Sequence, residues 1–247
     1  MDSKQPKILV LVEGARREKE LLAHLLEIYG IPGKFEIVSY CLSIYELYDL
    51  MFRDKNPDEI NLLMHLRSRE ANPIKKLIFN ENYAEILLIF DFDPHYRKYS
   101  DKAIREMVNY FTESTDMGKL YINYPMIEAF YHMRSIPDTE YNTYVVPMSE
   151  LHPKNLYKQR VNNENRNRDY SKFAIDRHEC TVVIQQNIDK AWILTRGIVE
   201  SHIPEGSDIL EAQLKKLCCE DAIAVLCTCA FYIYEYNPRL LEKGATP

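Results

Sequence analysis

Glycine is scarce in this chain, with seven in 247 residues. So few positions free to turn at positive φ disfavour a loop-rich sandwich and point to a helical or α/β chain with short connections. No glycines stand in the G-x-x-x-x-G-K-[ST] pattern, so a P-loop nucleotide site is excluded. There is also no apolar run long enough to span a bilayer. The start Met1-Asp2-Ser3-Lys4-Gln5 lacks a hydrophobic signal region, so a cytoplasmic protein is expected. The six cysteines, Cys41, Cys180, Cys218, Cys219, Cys227 and Cys229, lack the C-x₂-C pairs of a zinc site. Four of them crowd one apolar segment near the end and are expected to be reduced, buried packing thiols. The formal net charge of −6 argues against non-specific coating of nucleic acid, which needs an excess of Lys and Arg, and leaves local basic patches as the route to phosphate.

What is present begins with Ile86-Leu87-Leu88-Ile89-Phe90-Asp91-Phe92-Asp93, an unbroken apolar run ending on two aspartates. Such a run, closed by Pro94, reads as a buried parallel strand with its carboxyl end toward solvent, where open α/β sheets bind ligands. Alternation puts Asp91 and Asp93 on one side, where their charges repel unless a cation lies between them; Mg²⁺ favours such oxygens. A second run, Lys7-Ile8-Leu9-Val10-Leu11-Val12, finishes in Glu13-Gly14 before a helical pattern with Leu21, Leu22, Leu25 and Leu26 on one face. Gly14 is expected to allow the sharp exit that brings Glu13 to the sheet edge.

The remaining pattern organises the chain around those two strands. Lys34 to Tyr40 alternates as another strand, and β-α-β order makes a parallel, right-handed pairing the default. Residues 42–82 carry helical spacing with Pro57 and Pro73 as helix starts, an inserted set of two or three helices. A helix over Asp101–Phe111, a strand over Lys119–Pro125 and a helix over Met126–Met133 follow. The catalytic unit is thus expected over 1–147 and a mainly helical extension over 148–247. Within the extension, Leu151–Arg177 reads as a polar, basic loop, with Arg160, Arg166, Arg168 and Lys172 interleaved with Tyr157, Tyr170 and Phe173. Cations for phosphates and rings for bases suit single-stranded or looped nucleic acid. His95 could relay a proton or orient a phosphate, and Lys98 could neutralise transition-state charge. Two long helices, about His178–Val199 and Asp208–Tyr236, are expected to finish the chain, with Trp192 as a core anchor and the second helix buried broadly against the core or a partner.

Strand, Glu-Gly, helix and a later strand ending in D-x-D together resemble the Toprim domain of topoisomerases, primases and nucleases. The expected fold is therefore a Toprim (Rossmann-like) parallel sheet flanked by helices, with a helical insertion and a helical C-terminal extension. The resemblance implies that Glu13, Asp91 and Asp93 surround Mg²⁺ or Mn²⁺. Pro125-Met126-Ile127-Glu128 is similar to the Asn-Pro-x-x-Glu signature of the AriB-like and RloB-like nucleases, with Asn123 displaced by Tyr124, and implies a catalytic Glu128. An acid at the offset of Glu18 in RloB-like sequences makes it a candidate for a second metal or a general base. The expected activity is metal-dependent endonuclease cleavage by a toxic anti-phage effector acting on RNA or DNA, transfer RNA among them. Because this chain has no P-loop, the resemblance places the ATPase sensor on a separate partner chain. The acidic surface and C-terminal helices would serve docking to that partner or a homodimer. The alternative is a degenerate Toprim scaffold that binds or regulates a partner.

Overall fold

The computed structural model describes residues 6–14, 16–31, 33–39, 43–115, 117–152, 156–200 and 202–242; Tyr40, Cys41 and Lys154 lie outside the described residues. Four strands run parallel: β1 (Lys7–Val12), β2 (Lys34–Ser39), β3 (Glu85–Asp91) and β5 (Gly118–Asn123). The two-residue β4 (Thr112–Glu113) adds an antiparallel edge to β5, giving the order β2-β1-β3-β5-β4. Leu87 to Phe90 are at most 1% exposed, as a central strand covered on both faces requires. Because β1 leads outward to β2 on one side and pairs with β3 on the other, the strand order reverses between β1 and β3. The carboxyl ends of these two strands therefore frame the crevice where ligands of open α/β sheets bind.

Helix α1 (Arg17–Ile28) lays the expected leucine face, Leu21, Leu22, Leu25 and Leu26, into the core. The insertion before β3 holds α2 (Ile44–Met51), α3 (Leu62–Arg69), α4 (Pro73–Ile78) and a 3₁₀ turn at Pro57–Glu59. Pro57 and Pro73 each occupy a first helical position, where the missing N–H costs nothing. A capping box opens α2: the Ser43 hydroxyl accepts the Glu46 N–H while the Glu46 carboxylate accepts the Ser43 N–H. After β3 comes α5 (Asp101–Tyr110). The expected helix over Met126–Met133 is only a five-residue 3₁₀ turn, Ile127–Tyr131, so Glu128 is not set by a helix dipole.

The extension departs from the sequence reading in three places. The polar basic segment carries a helix: α6 (Met148–Leu151) leads into it and α7 (Leu156–Glu164) lies within it, and Asn165 beyond α7 is buried, donating to the Tyr131 carbonyl at 2.8 Å. The expected first long helix is α8 (Arg177–Arg196), with Trp192 buried. The second ends early, as α9 (Gly206–Glu220), where Asp221 turns left-handed at φ 51°. Strand β7 (Ala222–Ala224) then pairs antiparallel with β6 (Val145–Pro147), and a short α10 (Tyr232–Tyr236) follows. Ala222 to Cys227 are buried at every position, so the broad apolar surface read as one helix face is divided between α9, an enclosed strand and the short turns after it. The β6–β7 pairing crosses the boundary expected at 147/148. Of the four late cysteines, Cys227 and Cys229 are buried, whereas Cys218 and Cys219 are exposed at the end of α9. Among the described residues no helix is long and apolar enough to cross a membrane.

Beneath β6, Lys190 of α8 is buried with its Nζ donating to the carbonyls of Tyr141 and Tyr144, both at 2.7 Å, 4.5 Å above the Tyr141 ring. Burial, assisted by the charge of Lys216, holds this amine well below the ordinary lysine range. The unfolded chain therefore takes up a proton that the folded one resists, and stability should rise with pH until the unfolded lysine also titrates, near pH ~10.5. Both carbonyls have a second donor, the Tyr144 and Val225 N–H groups, so removing the amine leaves neither bare. Lys190→Met is expected to flatten the rise in urea-unfolding stability between about pH 8 and 10; slopes that stay parallel to wild type would contradict this account.

Candidate active site

The carboxyl ends of β1 and β3 bring two acids into contact. Glu13, just past β1, donates its N–H to the Ile89 carbonyl at 3.2 Å, and its Oε2 accepts the Asp91 N–H at 3.2 Å. Asp91 closes β3, and its Oδ1 accepts the Ile127 N–H at 2.9 Å. The strand stops there. Asp93 is placed by the following loop and not by the pleat; it is exposed and accepts the His95 N–H at 3.0 Å.

Three further acids border this pair. Glu18, in the first turn of α1, is buried against Gly14 so closely that a Cβ on residue 14 would collide with its carboxylate. Gly14 thus leaves room for the Glu18 carboxylate, the flexible end of a side chain that a Cβ would displace; its φ is not in the left-handed region. Glu128 is 2% exposed, with Oε1 3.3 Å from Arg17 Nε and 3.5 Å from Lys158 Nζ. Its Oε2 is buried without a hydrogen-bond partner among the described residues. Glu46, from the α2 capping box, adds its charge from the insertion side.

These surroundings hold protons on the two central acids. Burial raises the Glu13 carboxyl to about 7, helped by the charges of Asp93, Glu18 and Glu46 and opposed by the Asp91 N–H. Burial also drives Asp91 well above the carboxylate range, reinforced by Glu13, Glu18 and Glu128 and relieved in part by Lys158. The edge is therefore short of positive charge at neutral pH. Among the described residues no three His, Cys, Asp or Glu side chains stand close enough to form a ready metal cage. The donor chemistry, carboxylate oxygen throughout, matches a hard divalent cation, while convergence of the side chains is not already built.

Most of the residues expected to contact substrate are engaged with other partners. His95 turns its ring toward the Met148 carbonyl, 3.2 Å away, and packs at a tilt against the His152 ring. Lys98 pairs with Asp49 at 2.6 Å, Arg166 with Glu179 at 2.7 Å and Lys172 with Asp169 at 3.4 Å. Arg160 is shared by Glu150, Glu164 and the Val145 carbonyl. Arg168 alone of the six is exposed and holds neither a carboxylate nor a backbone acceptor through its side chain among the described residues.

Arg17, Lys158 and Tyr45 were not singled out by the sequence reading. Tyr45, on α2, is buried with its hydroxyl unpartnered among the described residues and lies close enough to Asp93 and Glu13 to feel their charges. The signal for Arg17 was the Arg16-Arg17 pair that follows Glu13-Gly14 almost at once, and Lys158 sat in the basic segment without marking itself out. Asn123 closes β5 beside Asp91, with Oδ1 accepting the Cys229 N–H at 3.3 Å and Nδ2 buried and unpartnered among the described residues. The displacing Tyr124 is occupied by a two-way backbone bridge to Leu226, 2.8 Å in each direction. The fold and edge define an α/β protein whose central sheet, mostly parallel, is compatible with the Rossmann-like class. The chain matches no protein-family model, no curated protein and no solved structure.

Proposed function

We propose that this chain is a divalent-metal-dependent endonuclease of the Toprim type, with Glu13, Asp91 and Asp93 as metal-binding carboxylates and Glu18 and Glu128 as flanking catalytic acids. The carrying observation is the meeting of Glu13 and Asp91 at the switch point of the sheet, where burial and repulsion penalise ionisation. Mg²⁺ or Mn²⁺ bound there would polarise a phosphoryl oxygen and lower the pKa of a bound water. Glu18, held over Gly14, would orient a water or accept its proton. Arg17 and Lys158, beside Glu128, supply fixed positive charge where a phosphodiester would dock. The role of toxic anti-phage effector, cutting transfer RNA under the control of a separate ATPase chain, is part of the proposal. Its support is the likeness of Glu13-Gly14, Asp91-x-Asp93 and Pro125-x-x-Glu128 to that nuclease branch.

Two observations favour the second reading, a degenerate scaffold that binds a partner: no ready metal cage stands among the described residues, and Glu128 already has two cations. Incubation of end-labelled RNA and DNA with the protein, with and without Mg²⁺ or Mn²⁺, separates the two. Cleavage that needs the metal and disappears in Asp93→Asn is the expected result. Absence of cleavage by the wild type under every metal condition, with and without a co-expressed ATPase partner, would favour the scaffold. Gly14→Ala, which forces the Glu18 carboxylate aside, is expected to slow cleavage by tenfold or more, since catalytic groups tolerate little misplacement. Full cleavage by a folded Gly14→Ala protein would remove Glu18 from the reaction.

A further inference from the structure

A cleft of about 600 Å³ opens beside the acidic edge, between the first turns of α1 and the stretch that follows α7, and it takes in Arg16, Arg17, His24, Arg168 and Tyr170. It adjoins the acids through Arg17, whose Nε reaches Glu128. The same guanidinium lies 4.2 Å from the centre of the Tyr170 ring, and Tyr170 in turn stacks on Tyr131 with ring centres 4.6 Å apart. Tyr131, Tyr170 and Arg17 therefore form a three-layer pillar. Its two inner layers are fixed in the protein, and its outermost layer is a planar cation with 43% of its side chain exposed. Guanidinium planes stack on bases as aromatic rings do, while their edge N–H groups take phosphate oxygens.

The opposite lip carries Arg168, whose backbone is left-handed at φ 52°. A side chain other than glycine in that region is strained, and the surrounding hydrogen bonds hold it there. Asn165 Oδ1 accepts the Asn167 N–H at 3.0 Å, Arg168 N–H donates to the Asn165 carbonyl at 2.9 Å, and Arg166 N–H donates to the Met133 carbonyl at 2.9 Å. Arg16 is answered by Glu20 at 2.6 Å and Lys172 by Asp169, whereas Arg168 has no carboxylate partner among the described residues. A strained, unpaired arginine thus lines the same cleft as a preorganised stacking platform whose outer layer, Arg17, reaches the acids.

We propose that this cleft binds unpaired nucleotides of the strand adjoining the acidic edge, with a base on the outer face of Arg17 and a backbone phosphate on Arg168. The nature of the ligand rests on the nuclease reading; the binding itself does not require cleavage. A duplex is excluded by the geometry of the pillar, because a base must leave its own stack to become the next layer.

The test uses the Glu13→Gln protein without divalent ions, so that nothing is cut, and a fluorescein-labelled mixed-sequence RNA decamer, single-stranded or annealed, read by fluorescence anisotropy across KCl concentrations. Arg168→Gly is expected to raise Kd about fivefold or more and to make the salt dependence shallower by about one phosphate contact, with Tm unchanged or raised because glycine relieves the backbone. Tyr170→Leu, which removes the support of Arg17, should weaken binding by a similar factor. Arg67→Gln, exposed on α3, should leave it unchanged, and the annealed decamer should bind at least tenfold more weakly than the single strand. Single-strand binding that survives both cleft variants, that falls equally in Arg67→Gln, or that is matched by the duplex overturns the assignment. If the wild type cuts nothing while these variants still weaken binding, the nuclease reading fails and the cleft stands; if it cuts and they bind normally, the cleft alone fails.

Discussion

Glu13→Gln should abolish metal-dependent cleavage and, in the absence of divalent ions at pH 8, yield a protein more stable than the wild type. The carboxyl titrates near 4.5 when unfolded and about 7 when folded. Below the lower value both states carry the proton and there is no penalty. Between the two the unfolded chain ionises first and stability falls; above the upper value the penalty is constant, about 3 kcal/mol at most for a shift of this size. Glutamine keeps an acceptor for the Asp91 N–H and carries no charge, so the variant should lose this decline with pH. Added Mg²⁺ should raise the Tm of the wild type at pH 8 and leave the variant little changed, because only the wild type offers a full set of charged oxygens. A wild type whose stability is level from pH 5 to 8, or a variant that gains as much from Mg²⁺, would remove Glu13 from the metal site.

The second large effect lies far from the acids. Gln213 of α9 is fully buried and clamps the free edge of β7, its Nε2 donating to the Ala224 carbonyl at 2.8 Å and its Oε1 accepting the Ala224 N–H at 2.9 Å. Leucine there fills similar space but strands two buried backbone groups, at a cost of about 3 kcal/mol. For a chain of this length that corresponds to a fall in Tm of roughly 10 °C. Because β7 runs on to the Leu226 bridge with Tyr124 and to the Cys229 contact with Asn123, cleavage should fall as well although no acid is altered. Thermal unfolding by circular dichroism beside a cleavage assay checks both; a Gln213→Leu protein with wild-type Tm would mean that water or relaxation satisfies Ala224.

The two central strands and the acids at their ends were legible in the sequence because each is local. Apolar runs of strand length stop at Glu13 and Asp91, and the leucine face of α1 shows at helical spacing. What the sequence did not show is set by partners distant in the chain. Lys98 looks like a free cation until Asp49 is brought to it, and Arg166 until Glu179 is, whereas the Glu164 partner of Arg160 lies only four residues on. Arg17 looks like an ordinary surface residue until Glu128 and Tyr170 meet it from more than a hundred residues away. The stretch after Asp221 was read as helix because enclosure on all sides leaves no period by which strand and helix can be told apart.

The bridge between Tyr124 and Leu226 also sets an order of events during synthesis. A ribosome that has delivered residues up to 123 has released all four parallel strands, and their local crossovers let the sheet begin to form. Both backbone groups of Tyr124 and the Oδ1 of Asn123 then await residues 226 and 229, about a hundred positions later. At ~5–20 residues per second that delay is on the order of 5–20 s. Throughout it the nascent chain carries its acids on an edge whose bracing contacts at Tyr124 and Asn123 have yet to be made.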